Sequence, residues 1–270
     1  MVKKLLKHEF VYYARTFALF LPIVLIIGLM RKLTDLTEAD FIRDLTNGIS
    51  TLIFILSCAA LISLSFIGGV VRFYKNMYSA EGYLTFTLPV TNAQHIFVKL
   101  FTAVTFMAVC SVTVAIAVAI AVPAENLRTF LCELGEQFST AVSDVGVANT
   151  VAYIAEVIII AILYAAYSML VAYGCITVGQ TAKKHRILKA IGAYYVYHLI
   201  LQVAGRVLTI IFSYIDDSFL RDIFSDMSLV EFGLIAVHMI FITIILILAV
   251  LCTVLWLITQ RIMTKKLNLE

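Results

Sequence analysis

Long apolar stretches alternate with short polar segments along the whole chain. A helix that crosses a membrane needs about 20 mostly apolar residues, and six stretches approach or exceed that length. The predicted spans cover residues 13–30, 49–71, 100–122, 150–178, 187–214 and 232–259. The first is the shortest and contains Pro22. The pattern predicts an all-α integral membrane protein with six transmembrane helices in a single transmembrane domain over residues 1–270.

Several polar segments also keep a helical spacing of apolar residues. Residues 1–13 place their lysines mostly opposite an apolar face, which is typical of an amphipathic helix in the membrane interface. A simple positive flank of the first span is the alternative. Residues 125–146 carry a sustained apolar stripe, and residues 33–45 and 219–227 carry weaker ones. We expect amphipathic helices there, lying on the membrane surface or capping the bundle.

The composition excludes a water-soluble enzyme. Apolar residues make up 62% of the chain and charged residues 14%, and the mean hydropathy is +1.01. Soluble domains are about 45–50% apolar and about 25% charged. The net charge of +3 gives no reason to expect nucleic acid as a partner, because that would require a clustered basic face. The five cysteines show no metal-ligand spacing.

Basic and acidic residues are concentrated in different connectors between the spans, and this distribution predicts the orientation of the chain in the membrane. Both termini, the connector between the second and third spans, and the connector between the fourth and fifth spans together carry 14 of the 20 Lys and Arg residues. The remaining connectors carry 13 of the 17 acidic residues. Cytoplasmic loops carry the excess of Lys and Arg. Both termini are therefore predicted to be cytoplasmic, which agrees with an even number of spans.

Two ionisable residues lie well inside predicted spans. Glu156 and Arg206 occur at similar depth on consecutive, antiparallel spans, and intramembrane charges usually face the bundle interior and pair. We therefore expect a Glu156–Arg206 ion pair, either structural or in a translocation pathway. His198 and Gln202 continue a polar stripe with Arg206 at i, i+4 and i+8. His198 is a candidate proton relay or a hydrogen-bonded packing residue.

Catalytic motifs are absent from the sequence. No glycine is followed by lysine, so the chain has no phosphate-binding P-loop. It has no zinc-protease motif and no G-x-S-x-G nucleophile elbow. The sequence thus predicts a protein that is not an enzyme and that holds no metal or cofactor of its own.

The connector over residues 72–99 is the longest predicted cytoplasmic segment, and its composition is unusual. It reads RFYKNMYSAEGYLTFTLPVTNAQHIFVK and includes six aromatic residues. Apolar and aromatic side chains on a water-facing loop indicate a binding surface. We expect this loop to dock a cytosolic protein.

Two parts of this loop resemble a known family. Arg72-Phe73-Tyr74 and the stretch EGYLTFTLPV at residues 81–90 are similar to the cytoplasmic loop of ABC-2-type permeases. These proteins are the integral membrane subunits of bacterial ATP-binding-cassette exporters, in a form common in Gram-positive bacteria. The arrangement of six spans with both ends inside extends the resemblance to most of the chain.

The resemblance implies that a separate ATPase subunit docks on a coupling segment at residues 74–89. The residues implied in that contact are Tyr74, Lys75, Met77, Tyr78, Glu81, Gly82, Tyr83, Leu84, Thr85, Leu88 and Pro89. Residues 180–189 would be a smaller second contact. Residues 1–13 correspond to the family's elbow helix and residues 216–231 to its short outer helices.

The resemblance also implies partners and a location. The ATPase subunit would bind ATP and Mg²⁺, and a second permease chain, identical or related, would complete the complex in a bacterial plasma membrane. The apolar interior suits a hydrophobic or amphipathic substrate, such as a drug, peptide or lipid. Two alternatives stay open. One is a secondary transporter without an ATPase, for which broken spans and repeated halves are expected. The other is a membrane scaffold or sensor that transports nothing.

Overall fold

The computed structural model describes residues 2–34, 40–79, 82, 90–182, 184–213 and 229–266. Within these residues the regular structure is entirely helical. The helices are α1 (Val2–Thr34), α2 (Asp40–Tyr78), α3 (Asn92–Ala121), α4 (Ala124–Val145), α5 (Val147–Gln180), α6 (Arg186–Ser213) and α7 (Leu229–Lys266).

Six of these helices are long and apolar enough to cross a membrane, namely α1, α2, α3, α5, α6 and α7. Each one contains most of a predicted span, so the prediction of an all-α multi-pass membrane protein with six spanning helices is confirmed. The remaining helix, α4, coincides with the apolar stripe predicted over residues 125–146. The stripe predicted at residues 219–227 lies outside the described residues.

The first helix differs from the sequence-based prediction. A separate amphipathic elbow helix was expected at residues 1–13, but α1 runs without a break from Val2 to Thr34. No helix-breaking residue separates these residues from the span, and Pro22 lies inside α1 without ending it. Glu9 and Tyr13 are buried, so this part of α1 packs against protein.

The contacts divide the chain into two compact units, residues 1–144 and residues 145–270. In the first unit α1 packs against α2 and α3, and α2 packs against α3. An aromatic stack fills this contact, with ring centroids 5.1 Å apart for Tyr13 and Phe106 and 5.9 Å apart for Phe17 and Phe106. Farther along α1, Gly28 allows close approach, since an added Cβ would lie 3.0 Å from the carbonyl oxygen of Ala117.

In the second unit α5 packs against both α6 and α7. The Tyr197 hydroxyl of α6 donates a hydrogen bond to the Tyr167 hydroxyl of α5 over 3.0 Å. The connection from α5 to α6 is a short turn, across which Lys189 Nζ donates to Thr181 Oγ1 at 2.8 Å. An added Cβ on Gly179 of α5 would lie 2.7 Å from the Arg186 carbonyl oxygen of α6. The close approach of these two helices beside the turn therefore requires glycine.

Candidate functional site

The structure places part of the predicted coupling segment. Tyr74, Lys75, Met77 and Tyr78 form the end of α2, and Gly82 follows in the next turn. The other predicted contact residues lie outside the described residues: Glu81, Tyr83, Leu84, Thr85, Leu88 and Pro89. The described residues therefore define how the loop leaves α2 and how it enters α3.

The chain folds back tightly on the end of α2. The Gly82 N–H donates to the Ser79 carbonyl oxygen over 2.8 Å. An added Cβ on Gly82 would lie only 2.7 Å from the Met77 carbonyl oxygen, so no larger residue fits without moving the backbone. Met77 itself is fully buried. Met77 and Gly82, which the resemblance implied as partner contacts, thus form the base of the loop.

The other end of the loop is fixed by a capping box at the start of α3. Thr91 is the N-cap, and its hydroxyl accepts the Gln94 N–H at 3.4 Å. The Gln94 side-chain oxygen in turn accepts the Thr91 N–H at 3.2 Å. This reciprocal pair satisfies backbone donors that a helix start leaves open. The described residues on either side of residues 83–89 are therefore both held by hydrogen bonds.

A buried charge cluster joins α1, α2 and α3 next to this loop. The Glu9 carboxylate of α1 accepts hydrogen bonds from three donors: Arg72 Nε at 3.1 Å, Asn76 Nδ2 at 3.1 Å and Lys99 Nζ at 3.0 Å. The side chains of Glu9 and Lys99 are each 3% exposed. Asn76 directly precedes Met77, so this Glu9 cluster lies against the base of the loop.

The Glu9 cluster combines charges of both signs. One carboxylate faces two cations, and each buried ion loses hydration worth several kcal/mol. Good geometry offsets that cost, because charge-assisted hydrogen bonds are stronger than neutral ones. The Arg72 guanidinium also lies 3.8 Å from the centroid of the Tyr12 ring, which adds a cation–π contact. Glu9 thus pairs with the buried Lys99 and with the half-buried Arg72.

Sequence reasoning missed this cluster. It counted Glu9 as one acid on a basic side of the protein and gave it no partner. A signal was present, because Glu9 is the only acidic residue among the first 34. Which cation it contacts depends on the packing of three helices, and that is not readable from one sequence.

No family model, curated protein or solved structure matches the chain. The likeness to ABC-2-type permeases therefore rests on the residues of the 72–99 loop and on the number and placement of the spans.

The predicted Glu156–Arg206 ion pair is wrong. Glu156 Oε1 of α5 lies 2.9 Å from His238 Nδ1 of α7, and Tyr153 stacks on the His238 ring with centroids 4.1 Å apart. The prediction did not take account of the faces on which the two residues lie. Glu156 lies on the side of α5 that packs against α7, whereas Arg206 belongs to α6.

The other predicted intramembrane residues lie together on α6. His198, Gln202 and Arg206 are all exposed. The His198 ring contacts Tyr194 with centroids 4.4 Å apart. Neither an ion pair nor a hydrogen bond engages the Arg206 side chain among the described residues. The predicted polar stripe is therefore present on α6. The acid expected to pair with it, Glu156, contacts His238 instead.

Proposed function

We propose that this chain is the transmembrane permease subunit of a bacterial ABC exporter. In this proposal both termini and the 72–99 loop face the cytoplasm, and a separate ATPase subunit docks on that loop. A second permease chain completes the complex in the plasma membrane. The substrate is hydrophobic or amphipathic, and ATP and Mg²⁺ are bound by the ATPase subunit.

The observation that best supports the proposal is the set of contacts that holds the two ends of the 72–99 loop. The Glu9 cluster links α1, α2 and α3 through one carboxylate, and the Gly82 turn and the Thr91 cap hold the two ends of the loop. A partner that moves the loop would therefore move three spans together. A loop that only connects two helices needs no such support.

The proposed coupling follows from this rigidity. Closure of the ATPase on ATP pushes on the aromatic residues of the loop. Packed interfaces switch between discrete arrangements and do not deform continuously. Movement of the loop would therefore shift α1, α2 and α3 together, as one packed unit. That shift changes access to the substrate from one side of the membrane to the other.

The test is a pull-down of the chain with the ATPase encoded next to it. We expect the double variant Tyr83→Ala with Leu84→Ala to lose association and substrate-stimulated ATPase activity. The matched control is Phe130→Ala with Leu131→Ala, which removes exposed apolar side chains from α4 and should change neither. Equal association for both double variants would refute docking on the loop. Association without stimulation of ATP hydrolysis would favour the scaffold alternative.

A further inference from the structure

One face of α6 carries a polar stripe through a helix that is otherwise apolar. Tyr194, His198, Gln202 and Arg206 follow one another at intervals of four residues, and all are exposed. The stripe is about 18 Å long at 1.5 Å per residue, more than half of a hydrocarbon core of about 30 Å. No residue of α6 between Arg186 and Ile210 is buried.

Contact with lipid chains is unfavourable for the polar side chains of this stripe. Arg206 lies seven residues from the end of α6 at Ser213, and its long side chain can reach toward the membrane surface. His198 lies eight residues deeper, about 12 Å farther into the membrane. Its short ring has no such reach, so snorkelling accounts for Arg206 but not for the whole stripe.

The stripe carries the positive charge of Arg206, and no acid of α6 compensates it. The helix α6 contains Arg186, Lys189 and Arg206 but no Asp or Glu. The single acidic residue of the adjacent helix α5 is Glu156, whose Oε1 lies 2.9 Å from His238 Nδ1 of α7 and not beside Arg206. Among the described residues, the charge complement of this face is therefore missing from the chain itself.

Contact between the stripes of two identical chains does not supply the complement. A two-fold axis along the membrane normal would place both stripes at equal depth, so Arg206 would lie at the level of the other Arg206 and not of an acid. The apolar residues beside the stripe, Leu199 and Val203, are exposed as well. The face thus combines an anion-binding group with a surface suited to a hydrocarbon chain.

We propose that this stripe binds the exported substrate and that the substrate is an amphipathic anion, a hydrocarbon chain with a carboxylate or phosphate head. The proposal rests on the export function above and specifies its substrate class. Arg206 and Gln202 bind the head, the rings of His198 and Tyr194 continue the polar path, and Leu199 and Val203 contact the chain.

Binding is measured without the ATPase, so the outcome is independent of the docking test. The full chain is placed in nanodiscs of phosphatidylcholine and titrated with radiolabelled dodecyl phosphate. We expect saturable binding, with dodecyltrimethylammonium and inorganic phosphate competing at least about tenfold more weakly. Arg206→Gln should weaken binding about tenfold or more, Arg206→Lys should retain most of it, and His198→Ala should weaken it measurably.

The matched control is Arg186→Gln, which removes an exposed cation from the other end of α6 and should leave binding unchanged. Equal loss in both arginine variants, or equal competition by inorganic phosphate, would overturn the proposal. Unchanged binding in Arg206→Gln or in His198→Ala would also overturn the proposal, because the altered side chain would then take no part in binding. In the first case Arg206 would only extend toward the membrane surface. If Arg206→Gln changes the oligomeric mass and not the binding, the stripe is a subunit interface.

Discussion

Glu9 of α1 and Lys99 of α3 are 90 positions apart in the sequence, yet their charged atoms lie 3.0 Å apart inside the protein. The same carboxylate reaches Arg72 and Asn76 of α2. A single acidic side chain thereby sets the relative position of three helix ends. It does so next to the loop on which we propose that the ATPase docks.

Glu9→Gln should be among the most destabilising substitutions in the first unit. The amide cannot neutralise the buried Lys99 or the half-buried Arg72, so both cations would lose their ion pair with Glu9. Removal of one member of a buried ion pair costs about 3–5 kcal/mol. Thermal unfolding in detergent should show a lower midpoint for Glu9→Gln. The matched control, Glu133→Gln, changes an exposed acid on α4 and should have almost no effect.

Lys99→Met should cost less than Glu9→Gln, although both remove a buried charge. Without Lys99, Glu9 keeps its contacts with Arg72 and Asn76, and the methionine fills the space of the lysine stem. The expected loss is that of one charge-assisted hydrogen bond, about 1.5–3 kcal/mol. The two variants are compared in the same unfolding experiment. A larger loss for Lys99→Met would contradict the central position of Glu9 among its three donors.

Gly82→Ala should disturb the loop because its Cβ would meet backbone. The nearest atom is the Met77 carbonyl oxygen at 2.7 Å, and α2 would have to shift to relieve the contact. Overpacking of this kind costs about 1–3 kcal/mol. We expect weaker capture of the ATPase in the pull-down and a lower unfolding midpoint.

The control for this substitution is Gly135→Ala in α4, where an added Cβ meets nothing within 4 Å. Alanine is the better helix former by about 0.5–1 kcal/mol, so this variant should be neutral or slightly more stable. Similar behaviour of the two variants would mean that the Gly82 turn is not constrained.

The spans were predictable because their length and apolar character follow directly from the thickness of the bilayer. The faces of the spans were not predictable, since core-facing and lipid-facing positions are both apolar. Phe101 and Phe106 of α3 show this: the first is 46% exposed and the second 8%, yet both stand in the same kind of apolar sequence. Which residue pairs with a buried charge depends on which face of each helix packs against protein.

The inclusion of residues 2–13 in α1, where the sequence predicted an elbow helix, has a related reason. The periodicity of residues 1–13 is real, but an apolar face suits a neighbouring helix as well as it suits a membrane surface. Burial of Glu9 and Tyr13 shows that α1 uses this face for packing. The resemblance in the 72–99 loop located the candidate site, and the ion cluster that supports it became visible only when α1, α2 and α3 were placed together.

Glu156 and His238 should be energetically coupled, whereas Glu156 and Arg206 should not. The first two side chains form a 2.9 Å contact between α5 and α7, and contacting polar residues show interaction energies of about 0.5–3 kcal/mol in double-mutant cycles. Substitutions without shared partners add to within about 0.5 kcal/mol. Unfolding midpoints of Glu156→Gln, His238→Ala, Arg206→Gln and the two double variants with Glu156→Gln measure both terms. Recovery of stability in the Glu156→Gln, Arg206→Gln double variant would show instead that these two charges pair, and would remove the charge imbalance on which the anion-binding stripe of α6 rests.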